Sequence, residues 1–189
     1  MGQHVTPGPR VDQADFDVEF RRLREVDLVL LHQWIQRPHV AKWWDGNRPP
    51  KTFEQIQAKY RPRLRHDSHI KPYFAWLAGQ PIGFIQSYVA AECGDGWWEH
   101  ETDPSVFGTD QFLSEEGLLG HGIGTRMVTA FVQRLFHDTR ATKVQTDPDP
   151  TNARAISCYE KVGFRRAQVV DTPAGKALLM FIERGGSAV

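Results

Sequence analysis

Residues 118–125 read Leu-Leu-Gly-His-Gly-Ile-Gly-Thr and run directly into an apolar segment that reaches Phe136. Glycine stands at every second position of this stretch, and apolar residues then recur every three or four positions from Ile123 onward. The spacing predicts a glycine-rich turn that opens an amphipathic helix. The first turn of a helix carries unpaired backbone N–H groups at the positive end of the helix dipole. Glycine lets a phosphate approach that backbone closely, so the stretch predicts a loop that holds a phosphate or pyrophosphate.

A tight turn before a core helix would explain the same glycines without any ligand. Two other phosphate-binding motifs do not fit the stretch. A P-loop requires Lys followed by Ser or Thr after the last glycine, whereas Thr125 and Arg126 stand there. A Rossmann fingerprint requires Gly-x-Gly-x-x-Gly beside an N-terminal strand, whereas this loop lies beyond the middle of the chain. Taken alone, the loop leaves the turn and the phosphate site as alternatives.

A second motif lies downstream and gives the loop its context. Residues 152–164 read Asn-Ala-Arg-Ala-Ile-Ser-Cys-Tyr-Glu-Lys-Val-Gly-Phe, after a strand-like stretch at 142–148. The two motifs together resemble the Gcn5-related N-acetyltransferase superfamily, in which the glycine loop holds the pyrophosphate of acetyl-CoA and an Asn-x-x-Ala-x-x-x-Tyr-x-x-x-Gly-Phe helix follows the next strand. Leu119 departs from the superfamily pattern, which usually has Gln or Arg there. The resemblance implies an α/β fold with a mixed, splayed central sheet flanked by helices, and acetyl-CoA as cosubstrate.

Composition sets the broad class of the protein. The chain has 189 residues, 40% of them apolar and 24% charged, with a formal net charge of +0. This balance is ordinary for a globular domain and indicates neither a nucleic-acid nor a membrane partner. Residues 1–15 lack the apolar centre of a signal peptide and are expected to form a flexible leader before a single domain at 16–189. Two distant cysteines, Cys93 and Cys158, fit a reducing cytoplasm, and we expect a cytoplasmic monomer or homodimer.

Local patterns predict the order of helices and strands. Asp27 is expected to cap a helix that Pro38 ends or bends, and Thr52 with Gln55 forms a capping-box pattern before another helix. The remaining predictions are strands at 17–24, 73–77, 81–90, 110–113 and 143–146, a helix at 152–161, and a closing hairpin at 165–171 and 176–184. Such mixing of helices and strands favours an α/β domain.

Charge is strongly segregated along the chain. No Lys or Arg occurs from Pro72 through Thr125, while the same window holds eight acidic residues. Trp97 and Trp98 lie among these acids. Carboxylates pair with ammonium groups and aromatic rings stack on cations, so the window predicts a surface for a polycationic, partly apolar ligand. A solvated acidic loop with two core tryptophans is the alternative.

Several stretches look like the aminoglycoside 6′-N-acetyltransferases of the type Ib group. They read Gln-Ser-Tyr-Val at 86–89, Gly-Asp-Gly-Trp-Trp-Glu at 94–99, Glu-Thr-Asp-Pro at 101–104 and Gln-Thr-Asp-Pro at 145–148. This resemblance implies acetyl transfer to the 6′-amine of a polycationic aminoglycoside, with resistance to the antibiotic as the result. The substrate contacts that it implies are Trp44, Gln86, Tyr88, Asp95, Trp98, Asp110 and Asp147.

The same resemblance suggests roles in the chemistry. A protonated amine cannot attack a thioester, so a base must take its proton, and Asp110 is the candidate. Tyr159 would protonate the leaving thiolate, although a packed helix tyrosine is the alternative. Cys158 lacks a neighbouring base and is expected to be a small packed residue, and the histidines show no metal-binding spacing, so we expect no metal. The implied cofactor contacts are Gln111, Phe112, Leu113, Gly120, His121, Gly122, Ile123, Gly124, Thr125 and Asn152.

Two other functions remain open from the sequence. The chain could acylate a different amine, such as a siderophore lysine or a polyamine, because siderophore acyltransferases share the superfamily's core. It could also bind a cationic ligand or acetyl-CoA without turnover. The presence of Asp110 and Tyr159 argues against the second of these, because sequestration needs neither residue.

Overall fold

The computed structural model describes residues 17–44, 49, 51–94 and 96–185. The expected leader at 1–15 and the predicted contact Asp95 lie outside this part of the chain. The strands are β1 (Glu19–Arg22), β2 (Lys71–Leu77), β3 (Gln80–Val89), β4 (Val106–Leu113), β5 (Lys143–Thr146), β6 (Arg165–Thr172) and β7 (Gly175–Glu183). The α-helices are α1 (Leu28–Ile35), α2 (Pro38–Trp44), α3 (Phe53–Leu64), α4 (Ile123–Asp138) and α5 (Ala153–Val162).

All seven described strands form one sheet in the order β1-β2-β3-β4-β5-β7-β6. The pair β4–β5 is parallel, and the other neighbours are antiparallel. β4 and β5 pair only over Val106–Gly108 and 143–145, whereas β4 stays paired with β3 as far as Leu113. The sheet therefore splays beyond Gly108. The prediction of a mixed, splayed α/β fold is confirmed.

The two faces of the sheet are covered by different helices. On one face, α4 and α5 pack Val128, Phe131 and Ile156 onto Val144 and other strand residues. On the opposite face, α1 and α3 form a second cluster with the strand rings Phe74 and Phe84. Because side chains alternate along β4, neighbouring residues of this strand face different helix layers. The splayed half of β4 therefore presents side chains to both helix layers.

Near the start of the chain, one predicted cap does not form, whereas the first helix ends before Pro38 as predicted. The predicted side-chain cap at Asp27 does not form. The Asp27 carboxylate instead accepts a hydrogen bond from the backbone N–H of Arg24 at 2.9 Å. A 3₁₀ turn at Glu25–Asp27 precedes α1 and directs this side chain backward. Pro38 is the first residue of α2, where its missing N–H has no helical partner to lose. The predicted capping box forms, with Thr52 and Gln55 bonded reciprocally.

Among the described residues, no helix combines the length and the apolar character needed to cross a bilayer.

Candidate active site

The glycine loop opens α4 as its spacing predicts. Gly120 and Gly122 have φ angles of +81° and +76°, in the left-handed region that glycine adopts without strain. Gly122 is the residue that precedes the helix, and the backbone N–H groups of Ile123, Gly124 and Thr125 have no backbone acceptor among the described residues. These amides lie together at the positive end of a 16-residue helix. The arrangement is suited to bind an anion such as a pyrophosphate.

The splayed half of β4 leads to this loop. Residues 109–113 have β3 on one side and no strand on the β5 side, so part of their backbone is open for hydrogen bonding. The carbonyl of Leu113 accepts a 3.1 Å hydrogen bond from Nε2 of His39, so this carbonyl is already engaged. The side chain of Gln111 donates from Nε2 to the phenolic oxygen of Tyr159 at 2.7 Å. Its Oε1 is buried without a partner among the described residues, which leaves an acceptor beside the gap.

Tyr159 is held in α5 by the same motif that marked the helix in the sequence. Asn152 caps the helix by accepting the N–H of Ala155 at 3.2 Å, so one of its side-chain atoms has a structural role. Gly163 ends the helix with a φ of +107°, and the N–H of Phe164 returns to the carbonyl of Tyr159 at 3.0 Å. The ring of Phe164 lies 5.3 Å from that of Tyr159. These contacts fix the phenol at the gap.

The Tyr159 side chain is only 4% exposed. Burial raises the pKa of its hydroxyl above the ordinary value, while hydrogen bonds from Thr146 and Gln111 oppose the shift. The group therefore keeps its proton at neutral pH. A buried, protonated phenol at this position is able to donate a proton to a neighbouring leaving group.

A second group of side chains lies on the other face of β4, and we call Gln86, Tyr88, Trp98, Asp110 and Asp147 the carboxylate cluster. Asp110 accepts from Nε2 of Gln86 at 2.7 Å and from the Tyr88 hydroxyl at 3.1 Å. The indole N–H of Trp98 donates in turn to the Tyr88 oxygen at 3.3 Å. Trp98 has a φ of +56°, an uncommon angle for a bulky residue.

Gly108 makes this packing possible. A Cβ at this position would lie 2.0 Å from Cε2 of Tyr88, so only glycine leaves room for the tyrosine ring over β4. The register places Tyr88 opposite Gly108 and Gln86 opposite Asp110 on the paired strands β3 and β4. The spacing Gly108-x-Asp110 is thus explained: the Tyr88 ring covers the strand at Gly108, and the Asp110 side chain extends from the same face two residues later.

The two acids of the carboxylate cluster influence each other. Burial raises the pKa of Asp110, while the hydrogen bonds from Gln86 and Tyr88 and the charges of Arg63 and Lys59 oppose the shift. Burial and the negative charge of Asp110 raise the pKa of Asp147 well above its ordinary value. Asp110 therefore holds the negative charge of the pair more readily than Asp147 does. An incoming cation would favour ionisation of both.

Trp44, a predicted substrate contact, and Phe112, a predicted cofactor contact, pack against each other and against Phe84. Trp44 packs edge-on against Phe84 and Phe112, with ring centroids 5.5 and 4.8 Å apart. Its indole N–H is buried and has no partner among the described residues, so a donor remains available. Phe112, a predicted cofactor contact, stacks on Phe84 at 5.4 Å, and its side chain belongs to the core. Asp95 lies outside the described residues.

Some acids of the base-free window at 72–125 have partners outside the carboxylate cluster. Three of its acids are engaged elsewhere: Glu101 by Lys143, Glu115 by Arg37, and Asp103 by Ser105. Among the described acids of the window, Asp110 alone belongs to the carboxylate cluster, which Asp147 joins from outside the window. The described acids of the window therefore do not all belong to the carboxylate cluster, and a polycation surface over the whole window stays a prediction.

Sequence reasoning missed Arg63. Its Nη1 donates to Oε1 of Gln86 at 3.1 Å, which brings a cation to the edge of the carboxylate cluster. α3 and the residue after it contain other arginines that look alike in the sequence, yet Arg61 pairs with Glu25 and Arg65 with Asp67. No local signal distinguishes Arg63 from these, since the distinction depends on which face of α3 meets β3.

Cys158 is half-buried, with its Sγ 3.6 Å from the hydroxyl of Thr125, and burial raises the pKa of its thiol. This supports a packed rather than a nucleophilic cysteine. The described part of the chain contains no group of three or more His, Cys, Asp or Glu side chains arranged to hold a metal ion.

Comparison with known proteins places these features in a family. A family model described as an acetyltransferase (GNAT) domain matches residues 24–172. The aminoglycoside N(6′)-acetyltransferase type 1 of Klebsiella pneumoniae is 47% identical over 176 residues, which cover 93% of this chain and 88% of that protein. A solved structure of AAC(6′)-Ib with ribostamycin and coenzyme A has a TM-score of 0.84 and 48% identity, covering 89% of this chain and 94% of the other. A structure of AAC(6′)-Ib with coenzyme A and kanamycin gives a TM-score of 0.82 at 47% identity, with coverage of 89% and 95%.

Proposed function

The chain belongs to the GNAT acetyltransferase family, and from this premise we propose that it transfers the acetyl group of acetyl-CoA to the 6′-amine of aminoglycosides and so confers resistance to them. One structural observation carries the proposal. Asp110 and Gln111 are consecutive on β4 and point to opposite faces, where they bond Gln86 and Tyr159 respectively. Neighbouring residues of the splayed strand therefore hold a candidate base on one face and contact a candidate proton donor on the other.

The cofactor side of the proposal rests on the gap between β4 and β5. The open backbone of 109–113 is suited to hydrogen-bond an amide-bearing chain, and the buried Oε1 of Gln111 offers an additional acceptor. The amides of Ile123, Gly124 and Thr125 are suited to hold a pyrophosphate. Coenzyme A combines an amide-bearing arm with a pyrophosphate, so these residues fit it. Acetyl-CoA supplies the acetyl thioester.

The acceptor side rests on the carboxylate cluster. Asp110 and Asp147 supply two carboxylates that favour a cationic ligand, and Trp98 lies beside them with Tyr88. Trp44 adds an indole N–H that is without a described partner. An aminoglycoside carries several ammonium groups on hydroxyl-rich rings, so carboxylates and hydrogen-bond donors together suit it. The assignment of Asp95 to this site stays a prediction.

The proposed chemistry assigns one proton transfer to each face. Asp110 accepts a proton from the substrate amine, directly or through water, so that the nitrogen lone pair attacks the acetyl carbonyl. The new C–N bond forms as the C–S bond breaks, and the nitrogen releases its second proton to water to give the neutral amide. Tyr159 donates its proton to the departing sulfur, and the thiol leaves. Backbone N–H groups of the open half of β4 are suited to stabilise the negative charge that develops on the carbonyl oxygen.

We place this activity in a single domain at 16–189, acting in the cytoplasm as a monomer or homodimer without nucleic-acid or membrane partners. The family match at 24–172 and the continuous sheet support the single domain.

Steady-state thiol release from acetyl-CoA tests the proposed function. The acceptors are kanamycin and a pair of aminoglycosides that differ only in an amine or a hydroxyl at C6′. We expect release with kanamycin and with the 6′-amine, and none above background with the 6′-hydroxyl. A siderophore lysine and a polyamine serve as competing acceptors. Faster turnover of either would contradict the aminoglycoside assignment, and coenzyme binding without release from any acceptor would indicate a binding module.

A further inference from the structure

Arg63, Gln86 and Asp110 form a chain of hydrogen bonds from α3 through β3 to β4. Nη1 of Arg63 lies 3.1 Å from Oε1 of Gln86, and Nε2 of Gln86 lies 2.7 Å from Oδ2 of Asp110. A guanidinium only donates hydrogen bonds, and a carboxylate only accepts them. The amide between them can satisfy both in one orientation alone, with its oxygen toward Arg63 and its nitrogen toward Asp110.

The Arg63 side chain is itself held in place. Its guanidinium lies 5.2 Å from the centre of the Tyr60 ring, one turn earlier on α3. Nη2 of Arg22 donates to the backbone carbonyl of Arg63 at 3.2 Å, which ties the last turn of α3 to β1. Gln86 is only 6% exposed, so its amide has little access to water as an alternative partner. The orientation of this amide is therefore a property of the folded protein rather than of the solvent.

We propose that Arg63 is a positioning residue for the amine side of the acetyl transfer, because it fixes the Gln86 amide as a hydrogen-bond donor to Asp110 and thereby keeps Asp110 in the carboxylate form that accepts a proton. The role in catalysis rests on the proposed function, whereas the hydrogen-bond chain is present in the protein by itself. Arg63 does not touch the substrate amine in this proposal and acts only through Gln86 and through its charge.

The charged and titratable groups that interact with Asp110 come from five parts of the fold. Lys59 and Arg63 lie on α3, Tyr88 on β3, Cys93 after β3, Asp147 after β5, and Tyr159 on α5. Burial disfavours ionisation of Asp110 and raises its pKa, while the two hydrogen bonds and the charges of Arg63 and Lys59 favour ionisation. Loss of Arg63 removes one cation and frees the Gln86 amide to turn. With its oxygen toward Asp110, that amide would favour the protonated acid, so the pKa of Asp110 would rise.

The test uses Arg63→Met, with Arg61→Met as its matched control. Both variants remove one arginine from the same helix, but Arg61 pairs with Glu25 on the exposed side. Arg63→Met is expected to move the acid limb of the pH profile of kcat/KM upward by about one unit, at the low end of the range for direct charge partners. The high-pH plateau should stay within a few-fold of wild type. Arg61→Met should leave the profile unmoved, and Arg63→Lys should restore most of the wild-type profile because it keeps the cation.

A second readout does not depend on turnover. The carboxyl resonance of Asp110 in ¹³C-aspartate-labelled protein, assigned with Asp110→Asn, is followed against pH in wild type and in Arg63→Met. Circular dichroism confirms that each variant is folded, and Arg63→Lys provides the comparison if the Met variant does not fold. An unshifted Asp110 titration in a folded Arg63→Met protein overturns the proposal. An equal shift in Arg61→Met overturns it as well. If the wild type releases no thiol, the proposed function is refuted. The resonance titration then still tests whether Arg63 keeps Asp110 in the carboxylate form.

Discussion

The Gln111 amide on β4 donates a 2.7 Å hydrogen bond to the phenolic oxygen of Tyr159 on α5. This bond crosses the open side of the splayed strand and uses a lone pair of the phenol, so the hydroxyl proton remains to be donated elsewhere. Asp110, the preceding residue of β4, faces the other helix layer and bonds Gln86. One dipeptide therefore connects the two sides of the proposed reaction.

Tyr159→Phe is expected to lower kcat about 10²-fold, the usual size of a general-acid contribution. The ring keeps its contact with Phe164, so the affinities for acetyl-CoA and the aminoglycoside should change little. Tyr73→Phe, which removes a hydroxyl from a ring packed on the same face, is the control. Turnover is measured against pH under conditions where a commitment experiment shows chemistry to be rate-limiting. Wild-type turnover in the Phe variant would reduce Tyr159 to a core residue.

Asp110→Asn is expected to lower turnover and to weaken aminoglycoside binding, because it removes the base and one negative charge. Loss of a charge-assisted hydrogen bond is worth about 1.5–3 kcal/mol, so the affinity should fall roughly ten-fold or more. Part of the turnover should return at high pH, where more of the amine is already neutral. The measurements are kcat/KM against pH and calorimetry with both substrates. An equal loss of acetyl-CoA affinity would indicate structural damage.

Gly124→Ala is expected to weaken coenzyme A binding while the fold stays intact. A Cβ at this position would lie 3.6 Å from Sγ of Cys158 and 3.7 Å from Cδ1 of Leu113, which are ordinary contacts in the protein itself. The methyl group would nevertheless lie between β4 and α5, where the coenzyme is proposed to enter. Gly117→Ala is the control, since nothing lies within 4 Å of its added Cβ. Calorimetry that gave equal affinities for both variants would contradict the assignment.

Asp147→Asn is expected to stabilise the free protein at neutral pH. The pKa of Asp147 is raised in the folded state, so its ionisation costs stability as pH rises from the ordinary value of about 4 through the raised value. Below that window the acid is protonated in both states, and the variant should match wild type. A gain of about 1 kcal/mol would raise Tm by roughly 2–4 °C.

Thermal unfolding from pH 3 to pH 8 measures this difference, and calorimetry measures the accompanying loss of aminoglycoside affinity. A Tm difference that is constant across the pH range would show that ionisation of Asp147 is not its source.

Local patterns in the sequence determined much of the fold. The left-handed glycine at 122, the capping box at Thr52 and the helix end at Gly163 follow from backbone conformation and hydrogen bonds within a few residues. The closing hairpin holds for the same reason. The strand at 143–146 was also predicted from its local pattern, although its pairing partners on β4 and β7 lie far away in the chain. The resemblance to acetyltransferases added the splay between β4 and β5, which no local pattern contains.

The composition of the carboxylate cluster was decided only by the tertiary structure. Asp147 reaches Asp110 because β5 lies beside β4, and Arg63 reaches Gln86 because α3 packs over β3. These contacts join residues far apart in the chain, so a charge pattern such as that of 72–125 does not contain them. A charge run records sequence neighbours, whereas the field at Asp110 depends on every strand and helix that surrounds it. Strand order and helix packing set that field, and both are long-range properties of the folded chain.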